Sequence, residues 1–400
     1  MKVSRNHLTY CTNIHPGESR SETLDNVKQH VVAVKSKFCP AESFGVGLRL
    51  SNCACEEFLR HGLDELHDMC RENDLYVFTI NGFIYGHFHK KPVKQDVYLP
   101  DWSATERVEF SNNLAQILAD LLPQEINGTI STVPVGFKNR FTTRDTVEKA
   151  AQNLLQHLQH LYAIKKRSGK NIMTCLEPEP GCYIETIDET IAFFREYIFT
   201  EKNYQAFSAH TGLALNESAA FIKNHLGICY DTCHMAIEYE QAQHALQRLQ
   251  QNEIRVGKVQ ISSAIKMCFS STDAEISECL QPYVDPIYLH QVVEDHDGII
   301  TRFNDLPLAL QSLKNRNVSQ QLEWRIHFHI PIFVDSVHPL IQSTQQHIID
   351  TLDYLKQHNI CEHLEVETYT WEVLPQKYRQ VSLHDSITRE LQWALQQIRS

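Results

Sequence analysis

The chain has 400 residues, 42% hydrophobic and 22% charged, which excludes wholesale disorder, collagen-like repeats and coiled-coil architecture. A formal net charge of −12 argues against nucleic acid as a partner, because such binders present a basic surface. No run nears the roughly 18 consecutive apolar residues of a membrane-spanning helix. The amino-terminal stretch MKVSRNHLTYCTNIHPGE lacks a signal-peptide layout, and 12 dispersed cysteines do not make a disulfide scaffold. The sequence thus predicts a cytoplasmic protein with reduced thiols.

Short apolar runs alternate along the chain with stretches of helical period. The first strand candidate, HLTYCTNI, precedes a helical face formed by Leu24, Val27, Val31, Val34 and Phe38. FGVGLRLS from Phe44 is followed by Leu59, Leu63, Leu66 and Cys70 at helical spacing, and LYVFTING from Leu75 by an amphipathic stretch over 106–122. TISTVPVGF from Thr129 precedes a helix over 143–162, and NIMTCLEPEPG from Asn171 one over 189–199. LGICYDTCH from Leu226, RVGKVQISS from Arg255 and HLEVETYTW from His363 complete eight strands, with further helices over 240–249, 347–355 and 385–398.

Strands separated by helices cannot pair as hairpins, so the sheet is predicted to be parallel and covered by helices. Eight such units predict a (β/α)8 TIM barrel occupying residues 1–400 as a single domain. The connection between the seventh and eighth strands is unusually long. It predicts an insertion over approximately 265–345, which contains the apolar run WRIHFHIPIF. No Pro/Gly/Ser linker isolates it.

In a parallel barrel the active site forms where strand ends and loops converge, at the C-terminal mouth. The segment Cys-Leu-Glu-Pro-Glu-Pro-Gly ends the fifth strand abruptly and leaves Glu177 or Glu179 at that mouth, unless it is merely a solvated acidic loop. In Tyr-Asp-Thr-Cys-His, Asp231 and His234 stand at a spacing that lets both reach one metal ion; a helix cap is the alternative. His327 and His329 project on one side of an extended segment, able to chelate a cation or to form a hydrogen-bonded buried pair. Glu365 and Glu367 share one side of the last strand, where a buried carboxylate requires an ion or a basic neighbour. Glu367 lies nearer the mouth. Asn81 to His89, with two glycines bracketing aromatics, reads as a loop offering apolar walls and imidazoles, among them His89 as a substrate contact, or simply as a packed aromatic loop.

The order of these motifs resembles the xylose-isomerase-like barrel superfamily, which includes sugar isomerases, epimerases and endonuclease IV. Asp231-Thr-Cys-His234 is similar to its strand-six motif, and Glu177 and Glu367 match its strand-five and strand-eight carboxylates. Gln260 stands where a metal-binding histidine is usual, and His327 or His329 is the expected compensation. A resemblance over most of the chain, carried by LTYCTNIHPGE, NGFIYGHFH, STVPVGFK, CLEPEPGCYIET, WRIHFHIPIF and LEVETYTWEVLP, is to the EboE family of metabolite traffic proteins. It implies a place in a secondary-metabolite or isoprenoid-precursor pathway, with other proteins of that pathway as partners.

The expected function is that of a metal-dependent isomerase or epimerase acting on a polar small-molecule metabolite. Glu177, Asp231, His234, His329 and Glu367 would bind a divalent ion (Mn, Mg or Zn), with Glu177 and Glu367 also serving as base and acid. Asn81, His89, Glu179, Gln260 and His327 would contact substrate. Two other classes remain in view. One is a non-catalytic metabolite carrier, favoured by Gln260 in place of histidine; the other is a metal-dependent phosphodiesterase of the endonuclease IV type.

Overall fold

All eight expected strands form, and each begins within a few residues of its predicted start. In the computed structural model, which describes residues 1–88, 93–269, 273–313, 322–374 and 380–400, they are Asn6–Tyr10, Phe44–Arg49, Leu75–Asn81, Gly128–Thr132, Ile172–Leu176, Leu226–Asp231, Val256–Ile261 and His363–Val366. They are called strands one to eight below. Seven lie side by side in parallel from strand two through strand eight, and strand one pairs with strand eight in parallel register. A two-residue strand, Lys2–Val3, adds antiparallel to strand one.

The barrel closes between strands one and two through a single bridge, Cys11 to Gly47, and a hydrogen bond from the Thr9 hydroxyl to the Gly45 carbonyl (2.7 Å). Gly47 is required there. A Cβ atom at this position would lie 1.8 Å from Oε1 of Glu365 and 2.8 Å from the Tyr10 carbonyl oxygen. The barrel strands are buried almost throughout, as expected of a sheet covered by helices on its outer face.

The long connection after strand seven builds a second sheet, antiparallel and six-stranded, from segments between Ser263 and Ser343. Its central strand, Leu322–Ile330, contains WRIHFHI and pairs with both Ser263–Cys268 and Val292–His296. Because the strand Ser263–Cys268 begins two residues after strand seven ends, this sheet rises directly from the C-terminal mouth. Two helices between strands five and six, Glu201–Thr211 and Leu215–His225, have no counterpart in the sequence reading. Among the described residues no helix is long and apolar enough to cross a membrane.

Candidate metal centre at the barrel mouth

Three strand ends converge at the mouth. Glu177 follows strand five, Asp231 ends strand six and Glu367 follows strand eight; ligand atoms of all three lie within 4.8 Å of one another. Each residue is buried. Asp231 also caps the helix Thr232–Ile237: its Oδ1 accepts from the backbone N–H groups of Cys233 (2.7 Å) and His234 (3.2 Å) and from the Ser262 hydroxyl (2.5 Å). The cap and the ligand readings of Asp231 are compatible, because they use different oxygens. Oδ2 has no hydrogen-bond partner, and neither does Oε2 of Glu177.

Two imidazoles complete this group. His234 projects from the capped helix, with Nε2 4.0 Å from Asp231 Oδ2 and Nδ1 3.9 Å from Glu177 Oε1. His329 comes from the second sheet. Its Nδ1 donates to the Glu367 carbonyl (2.8 Å), so Nε2 carries the lone pair, and that nitrogen also lacks a partner. Ligand atoms of Asp231, His234 and His329 again fall within 4.8 Å of one another.

A second, overlapping group joins Glu179, His234 and His327. Here the hydrogen-bond directions are forced. Nδ1 of His234 faces the Pro178 carbonyl (3.1 Å) and must carry a proton. The Gln291 amide nitrogen donates to the Pro180 carbonyl (2.8 Å) and to the Tyr98 hydroxyl (2.9 Å), so its oxygen faces Nδ1 of His327 (2.7 Å), which is therefore also protonated. The two Nε2 lone pairs then confront each other at 3.1 Å. That contact is repulsive unless a proton or a cation joins them, and two imidazole nitrogens on one tetrahedral ion stand roughly 3.3 Å apart.

The electrostatics agree. Burial, then Glu367 and Asp231, push the Glu177 carboxyl well above the usual range; burial, then Asp231 and Glu365, do the same to Glu367. Burial also raises Asp231, but His234, His329 and the Ser262 hydroxyl together hold it below the ordinary value. Burial drives His329 down to about 4 and His327 well below the imidazole range, so both stay neutral and available as ligands. Orphaned oxygens, a bare imidazole nitrogen and opposed lone pairs in one small volume fit a divalent cation.

Of the remaining expected residues, Asn81 ends strand three and donates to Glu367 Oε1 (3.1 Å). Glu179 is buried at the cavity floor, accepting from Tyr98 (2.6 Å), and burial raises its carboxyl. Gln260 lies in strand seven between Asp231 and Glu365. It accepts from the Cys229 thiol (2.9 Å), leaves its amide nitrogen without a partner, and does not line the cavity. His89 lies outside the described residues.

Sequence reasoning missed three contributors. Asn13 donates to Glu367 Oε1 (2.7 Å) from just beyond strand one, and the same strand-end rule that found the acids would have found it. Gln291 and Tyr98 orient His327 and Glu179, and no local pattern marks either.

No family model and no curated protein matches the chain. Among solved structures, a xylose isomerase-like TIM barrel protein from Mycobacterium smegmatis, in complex with magnesium, superposes with a TM-score of 0.52 at 8% identity. That match covers 100% of this chain and 98% of the other. By fold, this is a TIM barrel. L-ribulose 3-epimerase aligns with a TM-score of 0.49 at 12% identity, covering 98% of this chain and 96% of that one. The IOLI protein, solved with a zinc atom, aligns at 0.46 and 10%, covering 98% of each. In this TIM barrel the second sheet, rather than strand seven, brings the additional imidazoles to the mouth.

Proposed function

We propose that the protein is a divalent-metal-dependent isomerase or epimerase acting on a small oxygenated metabolite. The supporting observation is the meeting of Glu177, Asp231 and Glu367 within 4.8 Å, beside imidazole nitrogens that lack partners. Asp231, His234 and His329 would hold the ion together with Glu177 and Glu367. A Mn, Mg or Zn ion held there would supply Lewis acidity, polarising a substrate carbonyl and lowering the cost of removing the proton on the neighbouring carbon.

The chain's own groups then move that proton. One of Glu177 and Glu367 takes it from carbon, and the other returns a proton to the opposite face or to the adjacent carbon. Asn13 and Asn81 both donate to Oε1 of Glu367, fixing that carboxylate and leaving its other oxygen for the ion or the substrate. Glu179 and His327, oriented by Tyr98 and Gln291, border the same space and would contact substrate hydroxyls.

Metal-loaded protein incubated in deuterated water with a panel of keto and aldehyde metabolites tests the reading. Deuterium entering a substrate carbon is the expected result; ligand-dependent thermal stabilisation without exchange would instead indicate a carrier. The overlapping Glu179–His234–His327 group favours one second reading, a phosphodiesterase using more than one ion. Hydrolysis of bis-p-nitrophenyl phosphate would reveal it. The sequence resemblance to EboE proteins supports placing the enzyme in a cytoplasmic secondary-metabolite or isoprenoid-precursor pathway, alongside that pathway's other proteins.

A further inference from the structure

Above the carboxylates a cavity opens to solvent at the barrel mouth, bounded by the strand ends and by the connection that carries the second sheet. Its two ends differ in chemistry. The floor holds Glu177, Glu179, Glu367, His234 and His327 together with the two asparagines. The walls come from Phe83, Ile84 and Phe88 after strand three, Val97 on the next segment, and Tyr288 and Leu289 from the connection that carries the second sheet. Phe88, Tyr288 and Tyr369 pack as a mutual aromatic triad with ring centroids 5.0–5.3 Å apart, which joins the strand-three loop, the second-sheet connection and the segment after strand eight over the mouth.

Among the described residues, the cationic charge that a phosphorylated substrate would need is already committed. Lys94 is the one cationic side chain among the described residues lining the cavity, and its ammonium donates to Asp305 (2.7 Å) and to the Asp285 carbonyl (3.0 Å). The Tyr98 hydroxyl is likewise taken, by Glu179 and Gln291. Apart from the hydroxyls of Tyr288 and Tyr369, the hydroxyls of a free sugar chain extending from the floor would therefore meet hydrocarbon and aromatic carbon among the described residues, which is unfavourable unless each finds a partner.

We propose, building on the metal-centre reading above, that the substrate is amphipathic: a head bearing adjacent oxygens, of the α-hydroxy-carbonyl kind, joined to an uncharged apolar body. The head sits on the ion and the carboxylates; the body lies against Phe83, Ile84, Phe88 and Leu289. Free and phosphorylated sugars fit the floor but not the walls.

Hydroxamates share one metal-chelating head and differ only in the attached chain. Manganese binding is measured first by titration calorimetry, then acetohydroxamate, octanohydroxamate and gluconohydroxamate on the manganese-loaded protein. Octanohydroxamate is expected to bind at least tenfold tighter than acetohydroxamate, the equivalent of burying about two methylene groups. Gluconohydroxamate is expected to bind no tighter than acetohydroxamate. In the double variant Ile84→Ala/Leu289→Ala the octano-to-aceto affinity ratio should shrink several-fold. Equal affinities along the series, a preference for the gluconic chain, or an unchanged ratio in the variant would overturn the inference and leave the metal centre standing. Absence of manganese binding would overturn both.

Discussion

Two residues apart, one in the last strand and one just beyond its end, Glu365 and Glu367 meet opposite fates. Below the mouth, Glu365 faces Lys258 of strand seven across 2.5 Å, both side chains fully buried, and the barrel interior balances its own charge there. At the mouth, Glu367 faces Glu177 and Asp231, with no Lys or Arg ion pair among the described residues to offset them. Removing charges from water costs several kcal/mol per ion unless a partner returns it. The lower layer brings that partner in the chain, whereas the upper layer is arranged for one from outside. Burial itself therefore does not mark a functional acid; a buried acid whose neighbours are also acids does.

The largest expected effect concerns groups that, like the lower layer, settle their charge internally, in this case by staying neutral. Burial holds His157, His347 and His363 down at about 3 and His225 at about 4, against 6.5 when exposed. A depressed imidazole contributes stability above its unfolded pKa and loses it as pH falls, by up to about 1.4 kcal/mol per pH unit for each group. Carboxyls raised by burial, Glu238 and Glu390 at about 7 among them, act in the opposite sense until they are protonated in both states, so the imidazole loss should dominate below about pH 4.5, and a melting temperature that does not fall between pH 4.5 and pH 3.5 would break this account.

Lys258→Met leaves Glu365 buried without its partner and should cost about 3–5 kcal/mol in urea denaturation, with most of it recovered by adding Glu365→Leu. Glu367→Gln should behave in the opposite way. It relieves repulsion among acids, so the metal-free protein is at least as stable as wild type, while divalent-ion affinity falls about 100-fold, or roughly 2.7 kcal/mol. A wild-type metal content by elemental analysis would refute the assignment. The smallest effect is expected at strand seven, where Gln260→His should tighten zinc binding about tenfold. No change would show that a side chain at this register does not reach the ion.

The fold was legible because each barrel strand is a short buried apolar run between helical periods, a pattern set by local neighbours. The acids of the site were legible for a related reason: Glu177, Asp231 and Glu367 interrupt such runs at the end where a parallel barrel opens. The six-stranded sheet was not. Its antiparallel pairs join segments as far apart as 263–268 and 322–330, and nothing in either segment announces the other. The helix Glu201–Thr211 escaped notice because Phe207 is its one buried apolar residue and leaves no stripe to detect. Gln291 was illegible for a stricter reason, since its role depends on which way an amide and two imidazole rings are turned.

The strand Leu322–Ile330 has a consequence for how this architecture can be altered. Two nitrogen donors reach the mouth on an element that the eight-stranded cylinder does not own. Trimming the chain to its cylinder would leave three acids and a single imidazole from the Thr232–Ile237 helix, a harder, oxygen-dominated nest suited to magnesium or manganese rather than zinc. In the proposed metal centre the choice of ion would thus be delegated to the appended sheet, and a one-residue shift of its register, which turns both imidazoles to the opposite face, would change that choice without touching the barrel.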